Sequence, residues 1–244
     1  MEHTDDFNDF NPQVYLDDYY SEMSEPNAFL LDFYHKVYSE VENGSLLEIG
    51  GGPTIYQLIS ASAKVNKIVF SEFLEANRNE ILKFQNKDAD AFDWDIFFKY
   101  VLKLENKEDN PINVYEIKQR LREKIADVVK CDLTKGRPVS TDDKFDIISI
   151  NFCPESITDN EKVFIDHLRK SFNYLKSGGL LVFTALRNAT SYSLGDISFP
   201  AFPVNEDYLK KLLKKEGFKD IKADVILFED ETMDGNVAIS ARKA

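Results

Sequence analysis

Two cysteines in a chain of 244 residues, Cys131 and Cys153, are too few for a disulfide framework or a zinc cluster. Each borders an apolar run, where a buried free thiol is the common outcome. No apolar stretch approaches the roughly 18 residues that a membrane-spanning helix needs, so a soluble protein with no membrane partner is expected. The opening MEHTDDFNDFNPQ has neither a basic region nor an apolar core. No secretory or transit signal is read there, and the expected compartment is cytoplasmic. Basic charge is scarce too: 30 Lys and Arg against 43 Asp and Glu leave a net charge of −13, which repels phosphate backbones and argues against nucleic acid as a partner. The one basic cluster, Lys210, Lys211, Lys214 and Lys215, reads as the solvated face of an amphipathic helix. Repeats, low-complexity tracts and linkers are missing as well, so residues 1–244 are read as a single domain.

What is present is an alternation of helical and strand patterns. Residues 12–41 place Phe29, Leu30, Phe33, Val37 and Val41 at helical spacing before Asn43-Gly44 breaks the pattern, which predicts an N-terminal helical lid over residues 1–44. Short apolar runs follow at 46–49, 68–70, 145–150 and 180–186, separated by helix-patterned sequence. Helix starts are read near Thr54, Leu74, Val163 and Asn205, the last as an N-cap. This order predicts an α/β fold with a mostly parallel sheet over 45–244. Runs at 221–228 and 237–240 flank the turn-rich 229–236 and predict a closing antiparallel hairpin. The stretch 86–127, the least regular, has Ala91-Phe92-Asp93-Trp94-Asp95, then a polar break and a second helical pattern, and reads as an elaboration on that core.

The strongest local signal is Leu46-Leu47-Glu48-Ile49-Gly50-Gly51-Gly52-Pro53-Thr54, a buried strand that ends in three glycines just before a helix can start. Glycines there let a nucleotide-like cofactor lie close against the backbone. The loop lacks the full Gly-x-Gly-x-x-Gly pattern because position 55 is Ile, and it lacks Gly-Lys-Ser/Thr, so dinucleotide and nucleoside-triphosphate sites are disfavoured. Glu72 follows the second apolar run, 24 residues beyond Glu48, where a carboxylate meets ribose hydroxyls, and Asn77 lies within reach of the same ligand. Val128-Val129-Lys130-Cys131-Asp132-Leu133 ends a further strand-like run in an acid, suited to an adenine amino group.

Taken together, these residues resemble the nicotinamide, phenylethanolamine, indolethylamine and thioether methyltransferases, which use S-adenosylmethionine on small molecules. The resemblance rests on Phe10-Asn11-Pro12-x-x-Tyr15-Leu16-x-x-Tyr19-Tyr20, on Glu48 to Leu58, on Glu72 and Asn77, and on Ala91-Phe92-Asp93-Trp94. Lys130-Cys131-Asp132, Lys176-Ser177-Gly178-Gly179 and Ala241-Arg242-Lys243 extend it along nearly the whole chain. It implies a Rossmann-like class I fold with a seven-stranded sheet and S-adenosylmethionine as cofactor. It further implies that Tyr15 and Tyr20 close over the cofactor, that Gly50, Gly51 and Tyr56 hold its methionine part and ribose, and that Glu72 and Asn77 bind the ribose. Asp132 and Leu133 would flank the adenine, Asn151 would lie near the methionine moiety, and Tyr19 would border the acceptor. Glu48 stands where the family usually has Asp.

The chain departs from the family after the fourth apolar run. Several members have an acid there, whereas this chain reads Phe183-Thr184-Ala185-Leu186-Arg187-Asn188-Ala189-Thr190-Ser191-Tyr192, which argues against nicotinamide and catecholamine-like amines. Arg187 is either a fork for an acceptor carboxylate or a solvated loop residue, and Tyr192 is placed with it on the acceptor side. Glu155, Asp196 and Asp234 are candidates for taking the proton of an attacking amine. His167 is read as a surface residue of a polar helix, and no metal site is expected. The function this supports is methyl transfer by in-line displacement to a small-molecule amine or amino-acid-like acceptor. A binding module that keeps the cofactor loop without turnover is the alternative, and a nicotinamide-dependent oxidoreductase a weaker third.

Overall fold

The protein is described here by a computed structural model that covers Phe7 and residues 9–244; residues 1–6 and Asn8, the start of the expected lid, lie outside the described residues. Two helices, not one, form the lid. α1 (Pro12–Tyr20) is capped by the Asn11 side chain, which accepts from the backbone N–H of Gln13 at 2.9 Å, with Pro12 in its first turn. α2 (Glu25–Ser39) is capped by Ser24, whose hydroxyl accepts from the N–H of Asn27 at 3.2 Å. Two N-caps within 13 positions split what the apolar spacing alone reads as continuous.

β1 (Ser45–Ile49) leads through the glycine loop into a one-turn helix α3 (Tyr56–Ile59), two residues later than the Thr54 start expected from sequence. β2 (Lys67–Glu72) is followed by α4 (Glu75–Asn86), then α5 (Asp95–Leu104), α6 (Pro111–Lys124) and β3 (Ile125–Lys130). The stretch 86–127 is therefore two well-formed helices that pack on each other, with β3 beginning inside its expected range. Arg120 of α6 clasps Glu105, at the C-terminal end of α5, by two hydrogen bonds of 3.0 and 2.5 Å.

β4 (Phe145–Asn151), α7 (Glu161–Phe172), β5 (Leu175–Arg187), α8 (Glu206–Lys215), β8 (Phe218–Leu227) and β9 (Gly235–Lys243) complete the main sheet. Between β5 and α8 lies a small separate hairpin, β6 (Ser191–Leu194) with β7 (Ile197–Pro200). The seven-stranded order is β3-β2-β1-β4-β5-β9-β8, with β1 to β5 parallel and β9 antiparallel to both its neighbours. The expected closing hairpin is thus present, with its last strand inserted between β5 and β8. α8 buries Leu209, Leu212 and Leu213 and leaves Lys211, Lys214 and Lys215 in solvent, as the reading of that basic cluster requires.

Both faces of the sheet are covered, so the middles of its inner strands are apolar, while buried polar residues, Glu48, Ser71, Glu72 and Asn151, gather at or near their carboxyl ends. Leu46, Ile68 and Phe70 point into a core shared with α2 to α6, while Leu47, Ile49, Ile148 and Ile150 point into one shared with α7 and α8. Among the described residues no helix is long and apolar enough to cross a membrane. This layering leaves the carboxyl ends of β1 to β4 side by side, where an open α/β sheet forms its ligand crevice.

Gly235 opens β9 at φ +155°, and a Cβ placed there would sit 2.1 Å from the carbonyl oxygen of Ile226 on the paired strand. Gly235→Ala is expected to cost about 1–3 kcal/mol, seen as a melting midpoint several degrees lower in thermal denaturation. An unchanged midpoint would show that the hairpin register is not held at this residue.

Candidate cofactor and acceptor site

The glycine loop is shaped by what surrounds it. Gly50 has φ +64° and its N–H donates to the carbonyl of Ser71 on β2 at 2.8 Å. A side chain at Gly50 would fall 2.1 Å from Cys153 Sγ, and one at Gly51 would fall 2.5 Å from the ring of Phe70. Gly52, at φ +61°, has open space where a Cβ would be, and its N–H donates to Glu72 Oε2 at 3.1 Å. Cys153 thus lies under the loop as a buried thiol, its ionisation pushed up by burial, in keeping with the structural role read from sequence.

Glu72 ends β2 with its carboxylate held by three donors: Gly52 N–H, Leu74 N–H at 2.9 Å and Asn77 Nδ2 at 3.1 Å. Burial nevertheless pushes its pKa up. A carboxylate has about four acceptor positions, so one stays open, and Asn77 Oδ1 is buried without a partner. Both residues line a cavity of about 1080 Å³ at the strand ends. Beyond β3, Asp132 Oδ1 accepts from the N–H and hydroxyl of Thr134 at 3.1 and 2.6 Å, leaving the second oxygen without a protein partner among the described residues. Leu133 lies beside it on the cavity wall. Asn151, at the end of β4, is committed to the scaffold. Its Nδ2 donates to Glu48 Oε1 and Ser149 Oγ at 2.9 Å each, and its Oδ1 accepts from Tyr34 and Thr184 at 2.8 and 2.9 Å.

The lid supplies an aromatic roof. Tyr20 packs on Tyr56 and Trp94 at ring distances of 5.0 and 5.6 Å, and its hydroxyl meets that of Tyr15 at 3.5 Å. Burial raises all three tyrosines, Tyr15, Tyr20 and Tyr56, well above the ordinary phenol range, so they stay neutral. Trp94 comes from the stretch read as an elaboration, and it backs the site. Tyr19 lies on the exposed side of α1, where its hydroxyl donates to the carbonyl of Ser193 on β6 at 2.5 Å and ties lid to hairpin. Tyr192 of β6 stacks on Phe199 of β7 at 5.2 Å. The signal for this hairpin is the Gly195-Asp196 turn between alternating residues.

Twelve of the residues singled out from sequence line this one cavity: Tyr15, Tyr19, Tyr20, Gly50, Gly51, Tyr56, Glu72, Asn77, Asp132, Leu133, Asn151 and Tyr192. Arg187 does not. Its Nε and Nη2 donate to Glu206 at 2.8 and 3.2 Å and its Nη1 to Asp234 at 2.6 Å, so it is neither a solvated residue nor a free fork for a carboxylate. Asp234, taken up by Arg187 and Asn188, and Asp196, exposed in the hairpin turn, are outside the lining. Glu155 is fully buried behind it, between the lining residues Cys153 and Ser156; it accepts from Leu186 N–H at 3.3 Å, and burial pushes its pKa up to about 8. His167 is not a surface residue: it is buried in the cavity wall, and burial pushes its pKa down to about 4.

Other lining residues had no signal in the sequence, because they come from the β8–β9 loop: Asp230, Glu231, Met233 and, at the start of β9, Asn236. With them the charge balance of the cavity is plain. The described lining holds six acids, Glu72, Asp132, Asp159, Asp166, Asp230 and Glu231, and one Lys or Arg, Lys170, itself paired with Asp166 at 2.7 Å. The cavity therefore favours a positive ligand. Among the described residues no cluster of His, Cys, Asp and Glu could hold a metal.

The NNMT/PNMT/TEMT family model matches residues 1–243. Human nicotinamide N-methyltransferase is 30% identical over 219 residues, covering 86% of this chain and 82% of that protein. Rabbit indolethylamine N-methyltransferase is 29% identical over 86% of this chain and 82% of its own length. Rat phenylethanolamine N-methyltransferase is 28% identical over 86% of this chain and 77% of its own. Among solved structures, magnesium protoporphyrin IX methyltransferase of Synechocystis PCC 6803 superposes with a TM-score of 0.64 at 10% identity, covering 100% of this chain and 98% of that one. That likeness concerns the fold.

Two buried acids give the site a pH signature. Burial pushes Glu48 from 4.5 to about 7 and Glu155 from 4.5 to about 8. The folded state then holds protons that the unfolded chain releases, so this contribution to stability is full below about pH 4.5 and is lost as pH rises through 7 to 8. Glu48→Gln/Glu155→Gln is expected to lose less stability than the wild type between pH 5 and 9 in denaturant titrations. Parallel pH curves would mean that the two acids ionise in the fold as freely as in water.

Proposed function

The chain belongs to the NNMT/PNMT/TEMT family and is an S-adenosylmethionine-dependent N-methyltransferase of small molecules, and from that premise we propose that its acceptor is a small amine drawn in as a cation. The observation that carries this is the charge of the cavity, acidic at both ends with its single lysine already paired.

The residues fit the cofactor. Glu72 keeps an open acceptor position and Asn77 an unpartnered oxygen, the match for the two hydroxyls of a ribose. Asp132, with one carboxylate oxygen free, suits the adenine amino group beside Leu133. Gly50 and Gly51 let the methionine part approach the backbone, and Asn151 and Tyr56 form the wall beneath it. When bound, S-adenosylmethionine supplies a methyl group made electrophilic by a sulfonium. Tyr15 and Tyr20, neutral and close-packed, roof that part of the cavity, exclude water and present ring faces that favour positive charge. Holding donor and acceptor in line needs no nucleophilic side chain, and positioning alone is worth about 7 kcal/mol or more.

On the acceptor side, the acid that the end of β5 lacks is supplied by Asp230 and Glu231 of the β8–β9 loop. They attract an ammonium and stand where its proton leaves before the nitrogen attacks. Arg187, already shared between Glu206 and Asp234, offers nothing to a carboxylate, so plain amines fit better than amino acids.

Titration calorimetry with S-adenosylmethionine is expected to give micromolar binding, about −8 kcal/mol, that Glu72→Ala weakens at least about tenfold. With saturating cofactor, a radiolabel transfer screen should find arylalkylamines as acceptors, with Asp230→Asn/Glu231→Gln raising KM by about tenfold. A folded protein that binds no cofactor, or that methylates carboxylic acids but no amine, would overturn the proposal.

A further inference from the structure

The acceptor end of the cavity sets apolar side chains beside the acids Asp230 and Glu231. Phe7, Phe10, Leu186, Phe228 and Met233 form its sides, and Asn236 lies among them. In the sheet, Leu186 of β5, Asn236 of β9 and Ile226 of β8 are directly opposite one another. Residues in register share a face, so Asn236 projects from the same side as the lining residue Leu186. Its side chain is 5% exposed, its Oδ1 is buried without a partner, and its amide makes no hydrogen bond among the described residues. The other buried asparagines of the lining each donate to at least one protein partner, although Asn77 Oδ1 is also unpartnered. Asn27 donates to the carbonyl of Tyr19, Asn77 to Glu72, and Asn151 is bonded at both ends.

An unpaired buried amide is costly, and it persists where a ligand completes it. From this we infer that Asn236 is a specificity-determining residue that reads a second, neutral polar group on the acceptor, set apart from the nitrogen that receives the methyl. An amide offers one donor face and one acceptor face, so the group is one that can meet either, a hydroxyl or a carboxamide. The phenol of Tyr192, on the same wall and also without a hydrogen-bond partner among the described residues, is placed to share it. The selected acceptor is then an amine on an apolar, ring-sized body with one neutral polar substituent. An amine lacking that substituent would leave the Asn236 amide unpaired in the complex and be discriminated against for that reason. The inference rests on the amine reading above.

The test uses the full chain with S-adenosylhomocysteine bound, titrated calorimetrically with the matched pairs tyramine and phenethylamine, and serotonin and tryptamine; kcat/KM is measured on the same pairs with S-adenosylmethionine. The wild type should favour the hydroxylated member of at least one pair by about ten- to a hundredfold. Asn236→Leu, and Asn236→Val as a second apolar variant suited to a strand, should bring that ratio within about twofold of one while S-adenosylhomocysteine affinity stays unchanged. Wild-type protein that handles both members of every pair alike, or a preference that survives both variants, overturns the role of Asn236 and leaves the amine reading standing. Protein that binds the cofactor but neither member of any pair overturns the amine reading and this inference with it.

Discussion

The carboxyl of Glu48, fully buried at the end of β1, accepts hydrogen bonds from Gln57 of α3 at 3.2 Å and from Asn151 of β4 at 2.9 Å. The rest of the site follows from that junction. Asn151 is bonded in turn by Tyr34 of α2 and Thr184 of β5, and the carbonyl of Glu48 accepts from Ser71 of β2 at 2.6 Å. Glu48 and Asn151 together thereby tie four strands and two helices just beneath the glycine loop. Burial raises Glu48 to about 7, so near neutrality its ionisation is balanced between that cost and the donors around it. The network is polar in a place where aliphatic side chains would pack as well, and it sets geometry as much as stability.

On this floor the chemistry is one of enclosure and field. The glycines bring backbone to the ligand because Cys153 and Phe70 fill the space that side chains would need. Tyr20, Tyr56 and Trp94 stack against one another above it, and the Tyr19–Ser193 bond fastens the lid to the β6–β7 hairpin. Acids at both ends of the cavity give it a field that suits a positively charged ligand such as the sulfonium of the cofactor.

Much of this was legible in the sequence because it is local. The glycine loop, Glu72 with Asn77, and Asp132 are short patterns whose neighbours are set by their own strands. So was the layer order, since the inner strands carry short apolar runs. What the sequence hid depends on partners far along the chain. Arg187 looked free because Glu206 and Asp234 lie 19 and 47 positions away. His167 looked solvated because its neighbours in α7 are charged, although its own side faces inward. Asn236 lay at the edge of a turn-rich stretch, and only the β5–β9 pairing turns it toward Leu186. The second helix of 86–127 was legible, but the place of Trp94 against Tyr20, 74 positions back, was not.

With cofactor bound, α1, the strand ends and the β6–β7 hairpin are expected to close together around it. Hydrogen exchange with and without S-adenosylhomocysteine measures this directly. The account predicts slowed exchange together in α1, in the loop from Gly50 to Thr54, in the Glu72–Asn77 segment and in the hairpin around Ser193. Protection confined to the glycine loop and Glu72, with α1 and the hairpin exchanging as fast as in the free protein, would contradict it.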